Sequence, residues 1–502
     1  MSTSPSDSLA PARAVWLANG LPEDLLSHLR LSEHPDPAIP SSFRLGSAAQ
    51  TSIGLSGLSA ANFHALRTGV EQDVTVDARH AVFDISSEKW YTIDGHLPEG
   101  NFWDPIAGLY RTQDNNHVRI HTNFPHHRDG ILQILGCEAT RDAVQAKLTQ
   151  WNSYDFEAEA ASRKMCAFAY RSFDEWDKHP QGQAQANAPP VQLIKIGDAP
   201  RRELKSNAEM PLENIRVLDL CRVLAGPAAG RALAAFGADV LLVTSPSLPD
   251  LPLLDIETSR GKRTTQLDLT SPSGVDTLRS LAKDADVFLQ AYRPGGVDEK
   301  GFSPSELAEA RPGIVCANLR AFGWDGPWKD RRGFDSLVQT TTGINHAEAE
   351  AYSAFTGTTY NGKPPPKPLP MQALDHVAGY FLAFGINAAL CKTITEGGSW
   401  EVRVSLAAIG QWIRSLGRLD PAEAFSPQAK GFPKQTAPVD PEVAGFSTSL
   451  TESPGDDGKA RNQLRTMTAI EPAAVLSRTP ARQTEAPMGL NRHNPAWLPL
   501  KP

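Results

Sequence analysis

The sequence predicts an α/β fold, a doubly wound parallel sheet with helices on both faces, and three observations carry that reading. Short apolar or β-branched runs recur at "IRVLDL" (215–220), "ADVLLVT" (238–244), "ADVFLQAY" (285–292) and "GIVCANLRAFG" (313–323). Helical patterns separate them, at "GPAAGRALAAFG" (226–237), "SPSGVDTLRSLAKD" (271–284) and "SPSELAEARP" (303–312). Strands that alternate with helices build βαβ units and hence a parallel sheet. The composition, 40% hydrophobic and 21% charged over 502 residues, is globular and long enough for two or three domains.

Taken in order, the chain divides at Pro-rich and polar stretches. "SEHPDPAIPSS" (32–42) and "KHPQGQAQANAPP" (178–190) read as linkers or surface loops. Residues 1–44 are expected to form an N-terminal extension, 45–200 a first unit, 213–420 the large α/β domain and 421–502 an extended tail with little regular structure. "NGKPPPKPLP" (361–370) is a stiff approach to a long apolar helix that opens with one carboxylate, Asp375. A carboxylate there is either a helix N-cap or a nucleophile, and the two roles are compatible. An internal repeat links the ends of the chain. Residues 49–81 align without gaps on the Asp375 helix and its following strand, matching Gly57, Ala60, Ala61, Gly69, Val74 and Val76 to Gly385, Ala388, Ala389, Gly397, Val402 and Val404. Ser47 stands where the second copy has Asp375.

Several functions are disfavoured. A formal charge of −8 with no long Lys/Arg cluster argues against a nucleic-acid surface. No uninterrupted apolar run reaches the length of a membrane span. Five widely spaced cysteines without a CxxC suit a reducing compartment, and a cytoplasmic location is expected. The first βα turn, "LDLCRVLAGPAAG" (218–230), could seat a phosphate on free backbone N–H groups, or Gly226 and Pro227 could simply shape a helix start. It is not GxGxxG, and the next strand ends at Thr244 without the acidic residue that holds a nicotinamide ribose. "TSRGKRTTQLDL" (258–269) offers Arg260, Lys262 and Arg263, either for phosphates or as a solvated loop. His121, His126 and His127 cluster in "HTNFPHHRDG", but their spacing fits no standard zinc pattern, so no metal is assigned. No G-x-S-x-G elbow is present.

Six segments in order, "VLDLCRVLAGPAAGRALAAFGADVLLV", "SRGKRTTQLDLTSPSG", "ADVFLQAYRPGGVDEKGF", "LRAFGWDGPW", "GFDSLVQTTTG" and "LDHVAGYFLAFGINAAL…GGSWEVRVSL", resemble the family III CoA-transferases, the CaiB/BaiF group. The resemblance covers about 215–410 and implies a Rossmann-like large domain with a smaller α+β domain. It also implies that Asp375 is the catalytic aspartate. By the same resemblance Val223, Leu224, Ala225, Leu267, Ala291, Tyr292 and Arg293 line the coenzyme A site, with Arg260, Lys262 and Arg263 in or beside it. Asp375 would attack an acyl-CoA thioester, giving a mixed anhydride and CoA thiolate. The thiolate would then form an aspartyl-CoA thioester, from which CoA passes to an acceptor carboxylate. The substrates implied are an acyl-CoA donor and a small carboxylic acid, with no permanently bound cofactor. A carboxylate at a helix N-terminus is expected to be ionised by the dipole and free N–H groups.

Departures from the family pattern are informative. The second strand reads "VLLVT" instead of "VIKVE", and "NFRPG" has become "AYRPG". Phe334 replaces the histidine that racemases of the group carry, which favours transfer over α-proton exchange. An α-methylacyl-CoA racemase-like enzyme, with His346, His376 or an N-terminal residue as second base, and a non-catalytic acyl-CoA-binding homologue are the alternatives. Residues 102–180 look like the family's small domain placed ahead of the large one. A truncated tandem duplication follows as an expectation, assembled either as a homodimer or as an internal pseudo-dimer.

Overall fold

The computed structural model describes residues 8–203, 206–456, 463–481 and 485–501. Its largest element is a seven-stranded sheet of β1 (Gln192–Gly197), β2 (Arg216–Leu220), β3 (Asp239–Thr244), β4 (Arg263–Gln266), β5 (Val287–Gln290), β6 (Val315–Arg320) and β7 (Ser399–Ser405). The spatial order is β4-β3-β2-β5-β6-β7-β1. All neighbours are parallel except β7 and β1. From β2 onward this is the doubly wound order, whose winding reverses between β2 and β5. A ligand crevice therefore belongs at the carboxyl ends of these two strands.

Four helices position the site: α1 (Leu45–Thr68), α2 (Ala225–Ala235), α3 (Asp335–Thr341) and α4 (Ala373–Thr395). α4 is long and apolar enough to cross a membrane by length and composition, yet 89% of its most apolar window is buried within the fold. A helix apolar on every side belongs in the centre of a large core. α1 is its neighbour, and Ser56 and Asn62 meet Asn387 and Cys391 respectively, so the two helices run side by side in the same direction. Both open and close at matching places. α1 begins at Leu45 and is followed by Gly69 and the strand Val74–Val76, while α4 begins at Ala373 and is followed by Gly397 and β7.

Residues 102–180 form a compact α+β unit. Strands Gly108–Arg111, His117–Ile120 and Ala167–Ala169 make an antiparallel sheet. Helices Pro125–Leu135, Arg141–Leu148 and Ser153–Ser162 close it around Tyr110, Val118, Ile131 and Phe156.

Three expected boundaries shift. The first 44 residues are part of the main core and not an appendage: Trp16 is fully buried and strand Leu29–Leu31 pairs with Val74–Val76. β1 lies inside the span assigned to the first unit, but it covers the open edge of β7 in the large sheet. The tail carries strands Ser447–Glu452 and Thr466–Ile470, an antiparallel pair that takes Thr92–Ile93 at its edge. Its alternating burial supplies the order that Pro-rich flanks obscure. Tail residues 457–462 and 482–484 lie outside the described residues.

Candidate active site

Asp375 is the third residue of α4, after an N-cap, Gln372, that makes no side-chain cap. Capping comes instead from Asp335 at the start of α3. Its carboxylate accepts the N–H of Asp375 at 3.0 Å and that of Leu374. Gln339, one turn along α3, holds Asp335 and also donates to the Met371 carbonyl. The helix end is thus satisfied from another element, and the Asp375 side chain has no capping duty.

That arrangement reverses the expected ionisation. Burial raises the Asp375 pKa well above the ordinary carboxylate value, and the Asp335 and Glu88 carboxylates raise it further. Burial also raises Asp335, to about 6, although the N–H bonds from Asp375 and Leu374 and the Gln339 amide pull it back. Asp335 is the better hydrogen-bonded of the two carboxylates, so negative charge is favoured on it and disfavoured on Asp375. Desolvation and two like charges outweigh the helix dipole. Glu88 enters from the turn Ser87–Lys89 and pairs with His376 Nε2 at 2.9 Å. Burial would raise Glu88, but the His376 imidazole brings it below its usual value.

Two cavities meet at Asp375. The larger, about 870 Å³, is walled by the N-terminal half through Glu88, Trp103, Arg119 and His121, facing Asp335 and Met371. The smaller, about 210 Å³, lies at the switch point between the β2 and β5 loops. Val223, Leu224, Phe334 and Asp375 belong to both. Val223 has φ +75°, a conformation a β-branched residue adopts only under constraint, at a cost of about 1–3 kcal/mol. Such strain at the meeting point of two cavities is a signature of a functional turn.

The smaller cavity is basic, with Arg222, Arg293, Lys329 and Arg332 around it. Ala225 and Gly226, the first residues of α2, also line it, and no side chain caps that helix. Gly226 is required there, because a Cβ would come within 2.4 Å of Cys221 Sγ. Gly379 is constrained in a related way, since a Cβ on it would stand 2.6 Å from the Ala225 carbonyl. The lack of one lets α4 close on the first turn of α2 and brings Asp375, one turn earlier, beside those N–H groups.

Of the residues named from sequence, Asp375, Val223, Leu224, Ala225, Ala291, Tyr292 and Arg293 come together here. The basic loop does not. Arg260 is buried, donating to Glu257 and to the Ile470 carbonyl at 2.6 Å each. Lys262 is buried against Asp219 at 2.8 Å. Arg263 pairs with Asp239 at 3.0 Å, at the amino ends of β4 and β3, away from the crevice. Leu267 sits in the apolar cluster with Leu241, Val243 and Leu278. These four are structural, and the phosphate-binding reading of the loop is corrected accordingly. Arg222, Lys329 and Arg332 line the basic cavity instead.

The histidines are equally committed. His121 stacks on Phe334 with ring centroids 3.8 Å apart, and burial, with Arg119 beside it, lowers its pKa to about 3. His127 lies 3.4 Å from Cys166 Sγ. His376 is enclosed in the core, and His346 lies beside Glu350 at 3.3 Å, outside both cavities. Asp335, Glu88 and Arg119 escaped sequence reasoning. The one available signal was Arg119 itself, a cation between two apolar residues in the strand "HVRI".

The site is thus a doubly wound α/β domain with a carboxylate at the mouth of a basic switch-point cavity. Residues 212–416 match the model of CoA-transferase family III. It is 27% identical to an acetyl-coenzyme A transferase of Hypoxylon pulicicidum over 63% of this chain and 55% of that protein. It is 32% identical to a probable fatty acyl-CoA transferase of Mycobacterium tuberculosis over 46% of this chain and 59% of that one. An acyl-CoA transferase of Gibberella moniliformis is 25% identical over 77% of this chain and 73% of its own length. The chain thus spans between half and three quarters of these curated relatives.

Proposed function

We propose that the protein transfers coenzyme A from an acyl-CoA to a free carboxylic acid through covalent intermediates on Asp375. The observation that carries this reading is the position of Asp375 at the junction of a basic cavity and a roomier one. The basic cavity suits the phosphates and pantetheine arm of coenzyme A, with Arg222, Arg293, Lys329 and Arg332 as anion partners. Val223, Leu224, Ala225, Ala291 and Tyr292 line its course toward Asp375. The larger cavity takes the acyl group and, after exchange, the incoming acid.

The chemistry balances on these residues. The Asp375 carboxylate attacks the thioester carbonyl, a C–O bond forms, the C–S bond breaks, and CoA leaves as thiolate. The thiolate attacks the aspartyl carbonyl of the anhydride, releasing the first acid as carboxylate and leaving an aspartyl-CoA thioester. The acceptor carboxylate then reverses both steps. The open N–H groups of α2 are suited to the tetrahedral oxyanions. Asp375 must lose its proton first, and the neighbouring charge of Asp335 opposes that loss.

Five free cysteines, four of them buried, support a reducing, cytoplasmic setting. A racemase-like reading has less support, because the imidazole that lines the larger cavity, His121, is stacked on Phe334 and burial holds its pKa well below the usual value. The α1–α4 pairing and the N-terminal wall of the larger cavity support an internal pseudo-dimer built by truncated duplication.

Incubation with a panel of acyl-CoAs, then hydroxylamine and peptide mass spectrometry, tests the proposal. A hydroxamate on the peptide containing Asp375, absent in Asp375→Ala, is expected. Turnover without any such adduct would overturn the covalent mechanism.

A further inference from the structure

The basic arm of the smaller cavity is held from outside the cavity. Lys329, Arg331 and Arg332 belong to the irregular loop 321–334 that joins β6 to α3. Among the described residues, the backbone bonds inside this loop run from the Lys329 N–H to the Gly326 carbonyl at 3.4 Å and from the Arg331 N–H to the Trp328 carbonyl at 2.9 Å. A long loop with so little internal bonding needs an external frame to hold three cations in one arrangement.

One side chain supplies that frame. Gln181 lies in the short helix Pro180–Gln185 that follows the small α+β unit, fully buried and outside both cavities. Its amide donates to the Phe322 carbonyl at 2.8 Å and the Asp325 carbonyl at 2.9 Å, and it accepts the Trp328 N–H at 2.6 Å. These bonds use the whole amide and end immediately before Lys329. The loop is shaped to receive it, since Gly326 has φ +87° and a Cβ there would stand 2.5 Å from Gln181 Oε1. Beyond the amide, the Trp328 and His179 rings lie 4.3 Å apart, and the Arg331 guanidinium sits 4.2 Å from the Phe168 ring and 4.3 Å from that of Trp328. The small unit and its linker thereby fix where the cations stand. Asp335 and Asp375 have an anchor of their own, in Gln339 and the start of α4.

We propose that Gln181 is a positioning residue for coenzyme A: its amide sets Lys329 and Arg332 for the phosphates, so that affinity for the nucleotide end depends on it and chemistry at Asp375 does not. The proposal rests on the reading of the smaller cavity as the coenzyme A site. Calorimetric titration with coenzyme A, and with pantetheine, which carries no phosphate, tests it on the wild type and two variants. Gln181→Met keeps the length of the side chain and loses its bonds. Gly326→Ala crowds the amide from the side of the loop. Melting temperatures show which variants fold, and if Gln181→Met does not, Gly326→Ala decides by the same comparison.

Both variants are expected to bind coenzyme A about 10- to 100-fold more weakly than the wild type, because displaced cations lose charge-assisted bonds to phosphate. Pantetheine affinity should be unchanged, and in turnover the KM for acyl-CoA should rise while kcat stays near that of the wild type. A folded variant that binds coenzyme A like the wild type, or that loses coenzyme A and pantetheine alike, overturns the positioning role and leaves the transfer reading intact. A wild type that binds no coenzyme A sinks the reading of the cavity and this inference with it.

Discussion

Two carboxyls in contact with one helix end, only one of them hydrogen-bonded, decide the acid–base state of the site. Asp335 receives the N–H groups of α4, and Asp375 receives none. Charge is therefore cheaper on Asp335, and its presence raises Asp375. In Asp335→Asn the amide oxygen can still accept those N–H groups while the like charge is gone. The Asp375 pKa then falls and its anion, the nucleophile of the proposed mechanism, persists to lower pH. The acid limb of the kcat/KM profile, which reports the free enzyme, should move to lower pH, with activity on the acid side rising several-fold. An unmoved limb would mean that Asp335 does not govern Asp375. Little of this pair is legible in the sequence. Asp375 can be picked out as a candidate from its segment, but its ionisation depends on a residue 40 positions away, on burial, and on Glu88 from the other half of the chain. The Arg260, Lys262 and Arg263 cluster shows the same limit in reverse. Three neighbouring cations look alike in sequence, and only the fold reveals Glu257, Asp219 and Asp239 waiting for them.

Elements are more legible than contacts, because periodicity is local and partners are not. The strands and helices between 215 and 323 occur where alternation places them, and the order of the sheet follows from right-handed βαβ connections. The repeat is legible as letters, and the structure gives it a physical content. In α1 a Cβ on Gly57 would stand 2.9 Å from Val74 Cγ1, and in α4 a Cβ on Gly385 would stand 2.4 Å from Val402 Cγ1. Each helix thus uses the same glycine to lie on the first valine of its own following strand. The helix starts correspond too. Asp36 accepts the N–H groups of Gly46 and Ser47, as Asp335 accepts those of Leu374 and Asp375, and Ser47 Oγ donates to Asp36 where the second copy has two facing carboxyls. Gly385→Ala is expected to destabilise by about 1–3 kcal/mol through overpacking, and Val402→Ala in the same chain should recover part of the loss. Urea unfolding of the two single variants and the double variant measures the coupling. Additive effects would show that the Gly–Val contact is not what fixes the helix on its strand.

At the scale of the molecule, the halves share one interior. A single apolar cluster runs from Ala12 through α1 and α4 to Leu476. A buried charge group ties the same pieces together. Arg231 of α2 pairs with Glu257 and, at 2.9 Å, with Asp84 of the N-terminal half. Asp84 also accepts from Tyr380 of α4 at 2.6 Å and from the N–H of Ala473 in the tail at 3.0 Å. One guanidinium and its Asp84 partner therefore join α2, the Glu257 segment, the N-terminal half, α4 and the tail, which no sequence window connects. Removing the guanidinium leaves Asp84 buried without its cation and Glu257 with Arg260 alone, which costs far more than the pair itself contributes. Arg231→Met should destabilise the protein by about 3–5 kcal/mol. If the interior is shared, the loss appears everywhere at once. Hydrogen exchange followed by mass spectrometry in increasing urea should show peptides from 45–68 and 373–395 losing protection in one step, in the wild type and, at lower urea, in the variant. Early release of 45–68 while 373–395 stays protected would mean that the N-terminal half is a separable layer. The wall it gives the larger cavity would then be able to open independently of the sheet that holds Asp375.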